Sequence, residues 1–159
     1  MNCERKTSSQ PKAKVRNCTE ELLEELYKSV EMGKQSLINI MGKVKDTELS
    51  AELTSQLNEY SRYSDEICKL LCECGGDTMT ESIITKMSAK IGVEMSTLTD
   101  SSDEHIAQMV IEGTTASVTD TIRLVRDYEN SNCSEKALSL ARNIVSYQEK
   151  TVEKMKKYL

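Results

Sequence analysis

Tryptophan and phenylalanine are absent from this chain, and proline and histidine occur once each. With one proline and six glycines, there is little to punctuate a fold of many short strands. A core without large aromatics must rest on Leu, Ile, Val and Met, with six tyrosines as the only rings. Both scarcities point to an all-helical protein. A lone histidine leaves no Ser-His-Asp set. It also lies on a different predicted helix from Cys68, Cys72 and Cys74, so cysteine hydrolysis has no base to serve it. There is no glycine-rich phosphate loop. No apolar run reaches about 18 residues, so no membrane-spanning helix is expected. A net charge of -5 repels phosphate, which argues against nucleic-acid binding.

The first 17 residues carry Arg5, Lys6, Lys12, Lys14 and Arg16 and lack the apolar stretch of a signal peptide. They read as a disordered basic tail, with residues 18–159 as one helical domain. Six cysteines without an export signal point to free thiols in the cytoplasm.

The chain also repeats itself. At an offset of about 84 residues Gly33 meets Ser117, Ile38 meets Ile122, Ser64 meets Gln148 and Tyr63 meets Tyr147. Each half reads as an apolar helix, a short polar break and a second helix, so one hairpin is used twice. In the first half the stripe Leu22, Leu26, Val30, Gly33, Leu37, Ile40 and Val44 follows a cap at Thr19. A second stripe, Leu53, Leu57, Tyr60, Ser64, Ile67 and Leu71, ends at Gly75-Gly76. The second half offers Ile106, Val110, Gly113, Ser117, Thr121, Leu124 and Tyr128, opened by Ser101 or Ser102. Its last helix offers Leu138, Ala141, Val145, Gln148, Val152, Met155 and Leu159. An amphipathic connecting helix is expected over Met79 to Thr97. The architecture that follows is an all-α, antiparallel four-helix bundle of two duplicated hairpins.

Each stripe turns small or polar near its middle. Tyr60, Ser64, Thr114, Ser117 and Gln148 then share one level, so the bundle centre is expected to be polar or partly hollow. Gly33 and Ser117, at equivalent positions, are expected to bring the first and third helices close together. Buried polar groups need partners. Two readings stay open: mutual hydrogen bonding, or a bound ion, water cluster or small ligand.

Metal chemistry has two candidate sites. Cys68-x3-Cys72-x-Cys74 places two thiols on one face, one helical turn apart, but supplies three of the four ligands of a structural zinc. Glu31, Asp65, Glu112, Asp120 and Glu149 flank the inner stripes and offer carboxylates to a hard cation. Neither is compelling by spacing, and no metal or cofactor is expected. A di-iron centre is excluded. It needs two Glu-x-x-His pairs, whereas Glu66 is followed three residues on by Lys69, Glu149 by Val152, and His105 opens its helix.

The runs Glu31-Met32-Gly33-Lys34-Gln35-Ser36-Leu37, Asp65-Glu66-Ile67 before Leu70-Leu71, Lys86-Met87-Ser88, Ile106-Ala107-Gln108-Met109 with Glu112-Gly113, and Tyr158-Leu159 carry a resemblance. From Leu22 to Leu159 the chain resembles a group of uncharacterised bacterial ferritin-like bundle proteins of anaerobic Gram-positive type. These lack the di-iron ligand set. The resemblance implies a fold and no activity. Ala116-Ser117 stands where the group leads one to expect Met-Gly, and the basic tail and the Cys68-Cys72-Cys74 cluster depart from it too. The expectation is a non-enzymatic cytoplasmic bundle that self-associates as a scaffold or stress-associated protein. The rival is a metal-binding or thiol-redox bundle using the cysteine cluster or the midplane carboxylates.

Overall fold

The computed structural model describes residues 17–75 and 100–159. Residues 1–16, the connecting helix expected over Met79 to Thr97, and Cys3 lie outside the described residues. Within them the protein is all-helical: α1 (Cys18–Met41), α2 (Thr47–Glu73), α3 (Asp103–Tyr128) and α4 (Glu135–Met155), followed by a 3-10 turn (Lys156–Tyr158).

Local signals set the helix starts. Asn17, assigned by sequence to the tail, is the N-cap of α1. Its side-chain oxygen accepts the Glu20 N–H at 2.8 Å, displacing the expected cap at Thr19. Asp46 accepts from the Leu49 N–H at 2.7 Å and starts α2. Ser102 accepts from the His105 N–H at 3.2 Å and starts α3. Gly75 follows α2 with a φ of 73°, the left-handed conformation that glycine adopts without a Cβ penalty.

Contacts between the helices give their directions. Ser64 of α2 donates to Glu31 of α1, and a short turn joins the two, so they are antiparallel. Gln148 of α4 donates to Ser117 of α3 across an equally short turn. α1 and α3 are tied at both ends. The Lys45 and Asp46 N–H groups donate to the Asp103 carboxylate at 2.9 and 3.0 Å. At the far end Tyr128 Oη donates to Glu21 at 3.1 Å and the Ser134 N–H to Thr19 Oγ1 at 2.9 Å. α2 meets α4 through Gln56 with Met155 and Tyr60 with Gln148. The helices therefore form a ring in the order α1, α2, α4, α3, each antiparallel to its neighbours. α2 ends and α3 begins at opposite ends of the bundle.

The core is aliphatic: Leu22, Leu23, Leu26, Leu49, Leu53, Ile67, Leu71, Ile106, Ile144 and Met155 are essentially inaccessible. Burying each such side chain contributes about 1.5–3 kcal/mol. The inner faces differ from the expected stripes. In α3, Thr114, Val118 and Val125 are buried, whereas Gly113 is exposed and Ser117 half-buried. In α4, Ile144 and Thr151 replace Val145 and Val152, and Leu159 is exposed. In α1, Leu23 and Glu31 join the buried face. The physical reason is that each bundle helix packs on two neighbours, which widens its apolar face beyond a single stripe.

Candidate functional site

Small residues open a groove between α1 and α3. Gly33 and Ser36 on α1 face Gly113, Ala116 and Ser117 on α3, all lining one cavity of about 350 Å³. At Gly113 an added Cβ would meet nothing within 4 Å. Gly33 points elsewhere than expected. A Cβ there would lie 3.3 Å from the Tyr60 ring, so its missing side chain admits Tyr60 of α2 and does not draw α3 close. The two helices touch at Ser29 and Ser117, whose hydroxyls share a hydrogen bond of 2.9 Å.

The groove walls are apolar: Met32, Leu37 and Ile40 on one side, Met109 and Val110 on the other. Its floor is polar, built by Gln56 and Tyr60 from α2, Thr114 from α3 and Gln148 from α4. Gln148 is 1 % exposed. Its Nε2 donates to Ser117 Oγ at 2.9 Å and to Tyr60 Oη at 3.2 Å. Gln56, also 1 % exposed, donates to Glu52 at 3.4 Å and rests on the Met155 sulfur at 3.3 Å. The Oε1 atoms of both glutamines are buried without a hydrogen-bond partner. An unmet buried acceptor costs about 1–3 kcal/mol, so the floor is held at an energetic cost.

Of the five polar residues expected at midplane, Tyr60, Thr114, Ser117 and Gln148 come together around this floor. Ser64 does not. It turns to Glu31 and donates to that carboxylate at 2.6 Å, while Lys34 Nζ approaches the same oxygen at 2.8 Å. Glu31 is thus an inner residue and no longer a solvated flank. Asp65, Glu112, Asp120 and Glu149 are exposed. Gln56 was missed by sequence reading, since a glutamine one turn from Tyr60 carries no hydropathy signal.

The cysteine cluster does not converge. Cys68 is half-buried, Cys72 exposed and Cys74 half-buried at the α2 C-cap. Burial pushes the Cys68 thiol up, away from thiolate. Among the described residues no three His, Cys, Asp or Glu side chains are grouped to hold a metal ion. A different thiol pair does meet. Cys18 donates to the Ser131 carbonyl at 3.2 Å and lies beside Cys133, whose thiol is pushed up to about 12 by burial and then by Cys18.

A larger hollow of about 740 Å³ lies against α3 and α4. Thr115, Val118 and Val152 line it together with exposed Glu149, Lys150, Glu153 and Lys154, and among the described residues it contains no buried polar atom in want of a partner. The α1–α3 groove is therefore the better candidate. Among the described residues no helix is long and apolar enough to cross a membrane.

Tyrosines cluster around the α2–α4 seam. Tyr147 stacks edge-on to Tyr60 at 6.1 Å and tilts against Tyr63 at 5.8 Å. Burial pushes Tyr147 up to about 12, against the hydrogen bond from Thr151. Tyr27 and Tyr128 also reach about 12, through burial first and then Glu31 and Glu21 respectively. Unfolded tyrosine ionises near 10. Between pH 10 and about 12 the unfolded chain binds fewer protons than the folded one, so stability falls. The contribution is complete below pH 10 and lost as pH rises through 12. Denaturant midpoints are expected to hold up to pH 10 and then drop steeply. A flat profile from pH 10 to 12 would show these phenols to be freely titrating.

Comparison with protein-family models, with curated proteins and with solved structures gives no match.

Proposed function

We propose that this chain is a non-enzymatic cytoplasmic binding module of ferritin-like design, one hairpin used twice, whose working site is the α1–α3 groove. The observation that carries the reading is the groove floor, where two fully buried glutamines each leave an amide oxygen without a partner beneath apolar walls. A site with few, fixed polar groups under an apolar cleft has the make-up of small-molecule sites. Among the described residues no nucleophile–base pair accompanies it, which supports binding over catalysis.

The duplication has support in burial. At the 84-residue offset Leu22 and Ile106, Leu23 and Ala107, Leu26 and Val110, and Leu37 and Thr121 are all buried. So are Leu53 and Ala137, Gln56 and Leu140, Tyr60 and Ile144, and Ser64 and Gln148. Equivalent Tyr63 and Tyr147 also touch each other, as residues do beside a pseudo-two-fold axis. The five described cysteines are free thiols, which suits a reducing compartment. Self-association has its own observation: equivalent Ile38 and Ile122 are exposed by 48 % and 39 %. Light scattering of Ile38→Lys/Ile122→Lys against the parent would show whether those faces pair copies of the chain.

The groove reading is tested with N-phenyl-1-naphthylamine, a neutral apolar fluorophore. Saturable binding of one probe per chain is expected, and loss of binding in Gly113→Leu. That variant fills space a Cβ enters freely, so its melting temperature stays at or above the parent's. Binding unaffected by Gly113→Leu would sink the reading. Stoichiometric metal in protein purified without chelator would instead favour the metal-binding alternative.

A further inference from the structure

We infer that the α1–α3 groove takes a small molecule with an apolar body and a non-anionic, hydrogen-bond-donating head, seated head-inward on Gln56 and Gln148. The inference rests on the groove being a binding site and adds what enters it and which way round.

The amide of Gln56 is oriented by Glu52. Turning it over would set its oxygen against a carboxylate oxygen now 3.4 Å from Nε2. Its unpartnered atom is therefore the acceptor Oε1, which only a donor satisfies. Gln148 contacts two hydroxyls, Ser117 and Tyr60, which accept or donate. In one amide orientation its orphan is an oxygen and in the other an NH₂. A hydroxyl or primary amide head, able both to donate and to accept, meets each case. A carboxylate fails at Gln56.

Charge selects in the same direction. Among the described residues no lysine or arginine lines the groove, and the one charged lining residue is Asp120, 76 % exposed and paired with Arg123 at 3.5 Å outside the groove lining. An anion drawn onto this floor would lose hydration with no cation at the floor to replace it. The walls accept a flexible chain. Met32 and Met109 are unbranched and adjust to irregular shapes. At about 350 Å³ the cavity is at the small end of ligand sites. A protein partner would need a far broader contact, since stable interfaces bury about 1,200–2,000 Å².

The test uses the full 159-residue chain and three probes of one chain length: 1-octanol, octanamide and octanoate, competing with N-phenyl-1-naphthylamine at neutral pH. Octanol and octanamide are expected to displace the fluorophore, with octanoate at least about tenfold weaker, the effect of one lost hydrogen bond to a buried acceptor. In Gln56→Leu the fluorophore should still bind while octanol and octanamide each bind about tenfold more weakly, having lost the acceptor for their head. Gln148→Leu provides the same reading should Gln56→Leu fail to fold. Octanoate binding as tightly as octanol would overturn the head assignment and leave the groove standing. Failure of all three probes and of the fluorophore would overturn both the inference and the reading beneath it. Undiminished octanol affinity in the folded glutamine variants would show that the head does not sit on this floor.

Discussion

Tyr60→Ala is expected to remove about 3–5 kcal/mol from the unfolding free energy, the range for truncating a large buried ring. Tyr60 is 4 % exposed and does three separate things. Its ring fills the space that Gly33 leaves on α1, where a Cβ would come within 3.3 Å. It meets Tyr147 edge-on, with an interplanar angle of 86°, an arrangement worth about 0.5–1.5 kcal/mol beyond area. Its hydroxyl accepts from Gln148. Alanine cannot be compensated by collapse, because the glycine opposite has no side chain to move in. Tyr60→Phe separates the contributions: it keeps the ring and loses only the hydroxyl, so about 0.5–1.5 kcal/mol is expected. Urea unfolding of the two variants checks this. A loss below about 1 kcal/mol for Tyr60→Ala would mean that the α1–α2 contact is not built on this ring.

How much of this was legible beforehand can be argued residue by residue. Leu22, Leu26, Leu53, Ile67, Ile106 and Met155 repeat at three- and four-residue spacing, and all are core. Ser102 before Asp103 and Glu104 announced a helix start, and it caps α3. The faces were less legible. Around mid-bundle Gly113, Thr114, Ser117 and Val118 include little of strong hydropathy. The periodicity there fits two neighbouring columns equally, and the column actually buried holds Thr114 and Val118. That rotation turns Gly113 and Ser117 from core into groove lining. Glu31 was unreadable for another reason. A carboxylate one turn from Lys34 resembles any exposed pair on a helix. Only the approach of Ser64, 33 positions away, makes it an inner residue. The meeting of Cys18 with the Ser131–Cys133 turn is equally non-local.

Lys34→Ala is expected to cost roughly 3 kcal/mol, the low end for removing one partner of a buried ion pair. Glu31 keeps 7 % of its side-chain surface and Lys34 keeps 20 %. The pair is thus unlike Lys28 with Glu25, also on α1, which retain 33 % and 50 % and belong to the class worth about 0–1 kcal/mol. Once Lys34 is gone, the Glu31 carboxylate still accepts from Ser64 at 2.6 Å but has no cation beside it in a drained site. Replacing Glu31 and Lys34 by methionine together with Ser64→Ala is expected to be close to neutral, because the cost arises from stranding a buried charge or hydroxyl and not from losing a favourable pair. Ser64→Ala should cost about 1.5–3 kcal/mol as the loss of a hydrogen bond to a charged acceptor. Combined with Lys34→Ala it should depart from additivity by more than about 0.5 kcal/mol, since both groups act on the same oxygen. Chemical denaturation of the single, double and methionine variants reads all of these. If Lys34→Ala and Lys28→Ala cost the same, the Glu31 carboxylate is hydrated like any surface group, and the α1–α2 seam is held by its leucines and Tyr60 alone.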